Sequence, residues 1–457
     1  MTLSLSGSPW PATTGRGADG SLVIGGASAK DLAAEFGTPA YLLDEGEFRT
    51  RARTIRSIFG EAFARLGTEV DVFYASKALL IKAIAKWANE EGLFVDTASG
   101  GEMAVALAAG VDGSRLALHG NNKSDAELVA ALEHGIGRII IDSFQEIERL
   151  AALAGQRGVV APVMLRVATG VHAGGHEYIR TAHEDQKFGL SITAGLDGGD
   201  APAICALLRI LELPSLRLLG LHCHIGSQIL DIGGFAESAR ALMRVRAHLA
   251  QRTGHLMGEV DLGGGFGIAY LPGERDLDLH QTAQAIADAV EHACAELETP
   301  VPRISIEPGR SIVGRAGVTL YTVGTVKPVL VDDEHGAFTR LYVSVDGGMS
   351  DNIRPSLYQA VFHAEIASRF STAPLTRVRV VGKHCETGDI LVRDLLLPDD
   401  VAPGDLLAVA ATGAYGRSMA SNYNLLTKPP VIGVRDGQAR VLVRRETIDD
   451  LLALDQG

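Results

Sequence analysis

The chain has 457 residues, 46% hydrophobic and 21% charged, with a formal net charge of −13. That balance describes a globular protein too long for one ordinary core, so two domains are expected. It argues against nucleic acid and anionic membrane as partners, because both would repel the chain. Met1 to Gly20 contains no apolar signal-peptide core, and no apolar run approaches the about 18 residues of a membrane span. The four cysteines, Cys205, Cys223, Cys294 and Cys385, show no CxxC spacing, as expected for free thiols in a cytoplasmic enzyme.

In chain order, residues 1 to about 30 are expected to be a mobile lead-in rich in Gly, Ser, Thr and Pro. Residues 39–44 suggest a short strand, and a helix follows from about Glu45 to Leu66. From Val70 a unit recurs: a short apolar strand, a polar junction, an amphipathic helix. The strands fall at 71–75, 93–96, 115–119, 138–142, 162–167, 218–224, 259–262 and 303–307, which makes eight. Three junctions carry serine and, three residues on, glutamate, the pattern of a capping box: Ser99/Glu102, Ser124/Glu127 and Ser143/Glu146.

Eight strands alternating with helices predict a (β/α)8 TIM-like barrel. A doubly wound sheet is the alternative, but Ile268 stands where the last glycine of a dinucleotide-binding GxGxxG would fall. After Gly317 the pattern changes to β-branched segments at 318–326, 341–345, 378–381, 406–410 and 441–443, separated by Gly, Pro and Asp. These predict a C-terminal, mainly antiparallel β-barrel or sandwich, interrupted by a helix near 358–369 and joined by the strand at 39–44. The expected division is therefore 1–44 lead-in and strand, 45–316 barrel, and 317–457 β domain.

Barrel active sites form at the C-terminal ends of the strands. Those positions hold Lys77, Asp96, His119, Asp142, Arg166, His224, Gly263 to Gly265 and Glu307. Lys77, where a buried strand meets a helix expected over 78–87, has two readings: a side chain that extends its ammonium to solvent, or an amine that forms a Schiff base. The loops after strands seven and eight, Gly263 to Gly267 and Glu307 to Ser311, are where barrels commonly bind phosphate, and successive glycines let backbone amides approach an anion. A phosphate beside a strand-end lysine suggests pyridoxal 5'-phosphate. Glu307 would hold the proton on its ring nitrogen, with a salt bridge to Arg310 as the plainer alternative. His222 and His224 share one strand face, yet no third metal ligand follows at useful spacing, so no metal site is expected. His172, His176 and His183 lie in a Gly-rich stretch better suited to a lid or solvated loop.

Together, the segments Tyr74 to Lys77, His224 to Gln228, Gly263 to Gly267, Glu307 to Arg310, Cys385 to Asp389 and Gly413 to Gly416 resemble the fold-type III pyridoxal-phosphate decarboxylases. The stretches 183–189 and 346–354 resemble the branch of that family whose substrate is meso-2,6-diaminopimelate. The likeness runs in order from about residue 35 to the C-terminus. It implies a homodimer with active sites at the subunit interface. Lys77 would hold the cofactor covalently and His224 would stack on its ring. Ser227, Gly264, Gly265, Pro308, Gly309 and Arg310 would surround phosphate and pyridinium, with Tyr415 closing the phosphate side. Arg310, Arg354, Tyr358 and Tyr415 would contact substrate. Cys385 and Glu386 would come from the other subunit, Cys385 as the acid that returns a proton to Cα. Thr387 stands where the family usually has serine, and both carry a hydroxyl.

A distal group bearing both an amine and a carboxylate would need both signs of charge, which Glu386 and the pair Arg310 and Arg354 can supply. Related decarboxylases acting on carboxynorspermidine, ornithine or arginine are the alternative within the family. Outside it stand an amino-acid racemase, which needs a second base opposite the lysine, and a non-enzymatic regulator, which has no use for Lys77, Glu307 and Cys385.

Overall fold

The computed structural model describes residues 9–171, 187–194, 199–333 and 336–457. Within them the chain divides into two compact units, Met1–Thr50 with Ile268–Asp276 and Arg310–Gly457, and Arg51–Gly267 with Leu277–Gly309.

The second unit is a closed parallel barrel. Its strands are β1 (Val70–Ala75), β2 (Phe94–Thr97), β3 (Leu116–Leu118), β4 (Arg138–Ile141), β5 (Ala161–Ala168), β6 (Leu216–His222), β7 (Glu259–Asp261) and β8 (Arg303–Ile306). Each pairs with its successor, and β8 returns to β1 through Ile304↔Val70 and Ile306↔Val72, so the eight-stranded barrel expected from the sequence is formed. Closure removes exposed strand edges, and the strands can be almost wholly apolar because helices cover their outer faces. Val72, Val95, Ile139, Ile141, Leu165 and Ile304 are accordingly buried.

Helix starts follow local chemistry. Ser99, Ser124 and Ser143 each accept a hydrogen bond from the amide three residues on. Only Ser124/Glu127 completes the reciprocal box. Glu102 instead accepts from the Ala98 amide (2.7 Å) and from Ser76 Oγ (2.6 Å), clamping the ends of β1 and β2. Glu146 is taken by the buried ammonium of Lys123 (2.6 Å). A buried cation outcompetes a helix-end amide for a carboxylate, because an unpaired buried charge costs far more than an uncapped amide.

The first unit is a sheet domain in the order Ile390–Pro398, Leu375–Val381, Gly336–Val345, Gly317–Asp333, Ala40–Asp44, Val431–Arg435, Gln438–Val443. Its pairings are antiparallel except Gly336–Val345 with Leu375–Val381 and Ala40–Asp44 with Val431–Arg435. Gly317–Asp333 is the spine: its first half pairs with Ala40–Leu43 and with Leu406–Val409, its second half with Gly336–Val345.

Three expectations are corrected here. Residues 15–28 are not a loose lead-in: Gly15–Arg16, Leu22–Ile24 and Ala27–Ser28 form a small antiparallel sheet. Trp10, Leu22 and Ile24 anchor it in a core with Val318, Leu320 and Ala408. The helix expected near 358–369 is instead Arg354–Tyr358, stopped by Gln359 at φ 53°, and Ala364–Ile366 is a strand paired with Leu407–Val409. Pairing across the sheet overrides local helical preference there. After β1 comes a 3-10 turn, Ser76–Ala78, and the α-helix begins only at Lys82, ending at Glu90. His172, His176 and His183, with residues 183–186 of the family-like stretch, lie outside the described residues.

Candidate active site

Lys77 is the middle residue of the 3-10 turn that follows β1, and its side chain is exposed. The turn rests on the end of β8, where the Ala75 amide donates to the Pro308 carbonyl (3.3 Å). A Cβ on Gly309 would stand 2.9 Å from the Ala75 carbonyl oxygen, so only glycine lets the two loops meet.

Four strand ends bring their polar residues together inside the barrel. Glu307 is buried, and its Oε1 lies 3.2 Å from Nε2 of both His119 and His222. His119 Nε2 is also 3.3 Å from Asp96 Oδ1. The two imidazoles meet edge to face, centroids 4.9 Å apart at 73°. Burial dominates the electrostatics, because a charge taken out of water is destabilised. It pushes Glu307 up to about 7, against the pull of Lys77 and Arg166. Asp261 is likewise pushed up to about 7 by burial and by Glu307. Asp96 is raised by burial and then by Glu307, with Lys77 opposing. His222 is lowered to about 3, chiefly by burial, and His119 well below its ordinary range by burial and then His222.

Beside this cluster the loop after β6 meets the glycine loop after β7. Gly264 donates its amide to His224 Nδ1 (3.3 Å), and the Ile229 amide donates to the Gly265 carbonyl (2.8 Å). Gly265 has φ 114°, and a Cβ on Gly264 would stand 2.1 Å from the Glu307 carbonyl oxygen. His224 is partly exposed, and burial and then Lys77 hold its imidazole well below the usual range. Ser227 is exposed.

The remaining expected residues belong to the sheet unit, where Arg310, Arg354 and Tyr415 come together. Arg310 and Arg354 both donate to the hydroxyl of Tyr270 (2.5 and 2.9 Å), and their guanidinium groups lie 4.7 and 5.9 Å from the ring centre of Tyr415. Tyr415 has φ 60°, in a turn where Gly413 lies so close to Gly317 that a Cβ on Gly317 would stand 2.2 Å from Cα of Gly413. Tyr358 is 62% exposed. Cys385 and Glu386 are exposed, on a loop held by its buried flanks: Asp389 accepts from the His384 amide (2.8 Å), and His384 bonds Ser350 Oγ (2.9 Å).

Sequence reasoning named Asp96, His119 and His222 without giving them a task, and did not single out Tyr270 or Lys123. His119 and Glu307 are the ligands a metal reading of His222 lacked: the three offer atoms within 4.8 Å of one another, from three different strand ends that no local spacing could reveal.

Residues 47–314 match the family model described as the pyridoxal-binding domain of pyridoxal-dependent decarboxylases. The chain belongs to this family. A diaminopimelate decarboxylase from Mycobacterium leprae is 47% identical, over 99% of this chain and 93% of that one. One from Bacillus subtilis is 44% identical, over 95% of each. The solved structure of a diaminopimelate decarboxylase from M. jannaschii in complex with L-lysine superimposes with a TM-score of 0.86 at 32% identity over 98% of each chain.

The residues present fit pyridoxal phosphate. His119 Nε2, both ring nitrogens of His222 and Glu307 Oε1 are buried without hydrogen bonds. Such atoms each cost about 1–3 kcal/mol unless a ligand or proton satisfies them.

Proposed function

We infer that this decarboxylase converts meso-2,6-diaminopimelate to L-lysine and carbon dioxide, the last step of lysine biosynthesis, with pyridoxal 5'-phosphate as cofactor. The observation that carries this reading is the likeness along 99% of the chain to an enzyme of that name. Bound, the cofactor supplies an electron-accepting ring for the pair left when carboxylate departs.

The chain's own residues supply the rest. Lys77 would be the covalent anchor. Glu307 would hold the ring-nitrogen proton, which would keep the ring electron-accepting. His224 would stack on the ring. Ser227, Gly264, Gly265, Pro308, Gly309, Arg310 and Tyr415 would hold phosphate and pyridinium. Arg310, Arg354, Tyr358 and Tyr415 hold substrate, with the two arginines oriented by Tyr270, and Glu386 takes the distal amine. Cys385 passes the proton on its Sγ to Cα as the acid that completes the reaction.

The enzyme is a homodimer in which Cys385 and Glu386 of one protomer serve the other. Their exposure supports this, since an acid working on a reactive carbon needs a covered, water-poor site. The location is cytoplasmic, in keeping with four cysteines that are all free. Among the described residues no helix is long and apolar enough to cross a membrane.

The test is product analysis. Incubation with meso-diaminopimelate is expected to release carbon dioxide and L-lysine in equal amounts, and only with pyridoxal phosphate present. Carbon dioxide from ornithine, arginine or carboxynorspermidine instead, or racemisation without release, would overturn the reading.

A further inference from the structure

Two histidines in the barrel have no task in the chemistry above. His119 stands just past β3 and His222 ends β6, and both rings are buried against the carboxylate of Glu307. We propose that His119 and His222 are positioning residues: their Nε2–H groups, each 3.2 Å from Glu307 Oε1, hold that side chain as the oriented carboxylate a protonated ring nitrogen requires. The proposal rests on the reading of Glu307 as the residue that faces this nitrogen.

Two buried ring nitrogens from two strand ends converge on one carboxylate oxygen from a third, and none of the three atoms has a hydrogen bond of good geometry. Both imidazoles are neutral, since burial holds their pKa values down, so each has one N–H and one bare nitrogen. A bare nitrogen 3.2 Å from a carboxylate oxygen sets lone pair against lone pair. The tautomer with hydrogen on Nε2 instead sets two N–H groups 3.2 Å from the oxygen, close enough to become donors with a small reorientation. Hydrogen bonds to the charged form of an acid favour that form.

That bias is needed because the surroundings oppose it. Burial favours the protonated form of Glu307, which would offer a hydrogen where the ring nitrogen also carries one. Asp96 lies 3.3 Å from His119 Nε2, and Asp261 interacts with Glu307, both acidic. Lys77 and Arg166 pull the other way, and Lys123 and Asp142 act on the histidines. Lys77, however, is the group consumed in anchoring the cofactor, which leaves Arg166 and the two neutral histidines, and of these the histidines lie directly against Glu307.

The experiment compares binding of pyridoxal phosphate with binding of its analogue in which a C–H replaces the ring nitrogen, by absorbance of the lysine-bound form. His119→Leu and His222→Leu should each weaken pyridoxal phosphate binding roughly tenfold, the scale of one hydrogen bond to a charged group. Binding of the carbon analogue should change less than about twofold on the same scale. His119→Gln, which keeps an N–H donor, should recover most of the loss. If leucine unfolds the barrel, His119→Asn, polar but too short to reach Glu307, gives the same comparison. Equal weakening of both ligands, or no weakening of either, would overturn the proposal. Glu307→Gln separates the two readings. If that variant also fails to discriminate between the ligands relative to wild type, the role given to Glu307 fails. If it discriminates and the histidine variants do not, only the positioning proposal fails.

Discussion

At the N-terminal ends of the barrel strands, Arg138 donates to Asp71 and to Glu259, both at 2.8 Å, and Arg303 donates to Asp71 at 2.6 and 2.8 Å. At the C-terminal ends of the same barrel, His119 Nε2, both nitrogens of His222, Glu307 Oε1 and Asp142 Oδ2 are buried without hydrogen bonds. Both ends carry charged or titratable groups, most of them buried. One end joins them in well-formed hydrogen bonds, and the other sets them close together without such bonds. The difference separates a network kept for stability from one kept for chemistry, and it does so without reference to any motif.

The contrast can be broken from either side. Lys77→Ala should cost activity on the order of a thousandfold or more, as loss of a covalent group does, with little change in thermal midpoint. An unchanged rate would remove the lysine from the chemistry. Glu307→Gln should lower kcat about 100- to 1,000-fold, the scale of one preorganised electrostatic partner, while leaving the cofactor-free protein as stable as wild type or more so. Paired urea unfolding and steady-state kinetics would show both. Arg138→Met should do the reverse, losing about 3 kcal/mol of stability because Asp71 and Glu259 are left partly unpaired, while the folded fraction keeps its kcat. A variant that folds normally and loses catalysis would contradict the division between the two ends.

Smaller effects sharpen the account. Tyr270→Phe removes the oxygen that accepts from Arg310 and Arg354, and kcat/KM for diaminopimelate should fall about tenfold, mainly through KM. The smallest effect is in pH dependence. Burial raises Glu307 to about 7, above its unfolded value near 4.5, so its contribution to stability is full below that lower value and is lost as pH rises through 7. His119 and His222 act in the opposite direction, because their folded values are depressed. The informative quantity is therefore wild type minus Glu307→Gln: this difference in the cofactor-free proteins should fall from pH 5 to pH 8.

The barrel was legible because its strands are short apolar runs that recur with helices between them, three of those helices opened by a serine-to-glutamate start signal. The polar residues at strand ends therefore pointed to Lys77, Asp96, His119 and Glu307. The sheet domain was less legible. Ala364–Ile366 and Val431–Arg435 are strands by virtue of partners distant in sequence, Leu407–Val409 and Tyr41–Asp44. The N-terminal sheet hid behind a turn-rich composition in which Trp10, Leu22 and Ile24 are the few anchors. Tyr270 hid for another reason: its role is to orient two arginines far away in the chain, and nothing beside it in sequence says so. The buried pair of Lys123 and Glu146 shows the same limit, since the serine-to-glutamate spacing correctly marked a helix start while Glu146 itself serves a different partner.

The measurement that tests the central claim most directly is borohydride reduction of the protein loaded with pyridoxal phosphate, followed by peptide mass mapping. The account predicts a single pyridoxyl group on Lys77, absent from the Lys77→Ala variant. A stoichiometric label on another lysine, or a protein that takes no label while decarboxylating diaminopimelate, would contradict it.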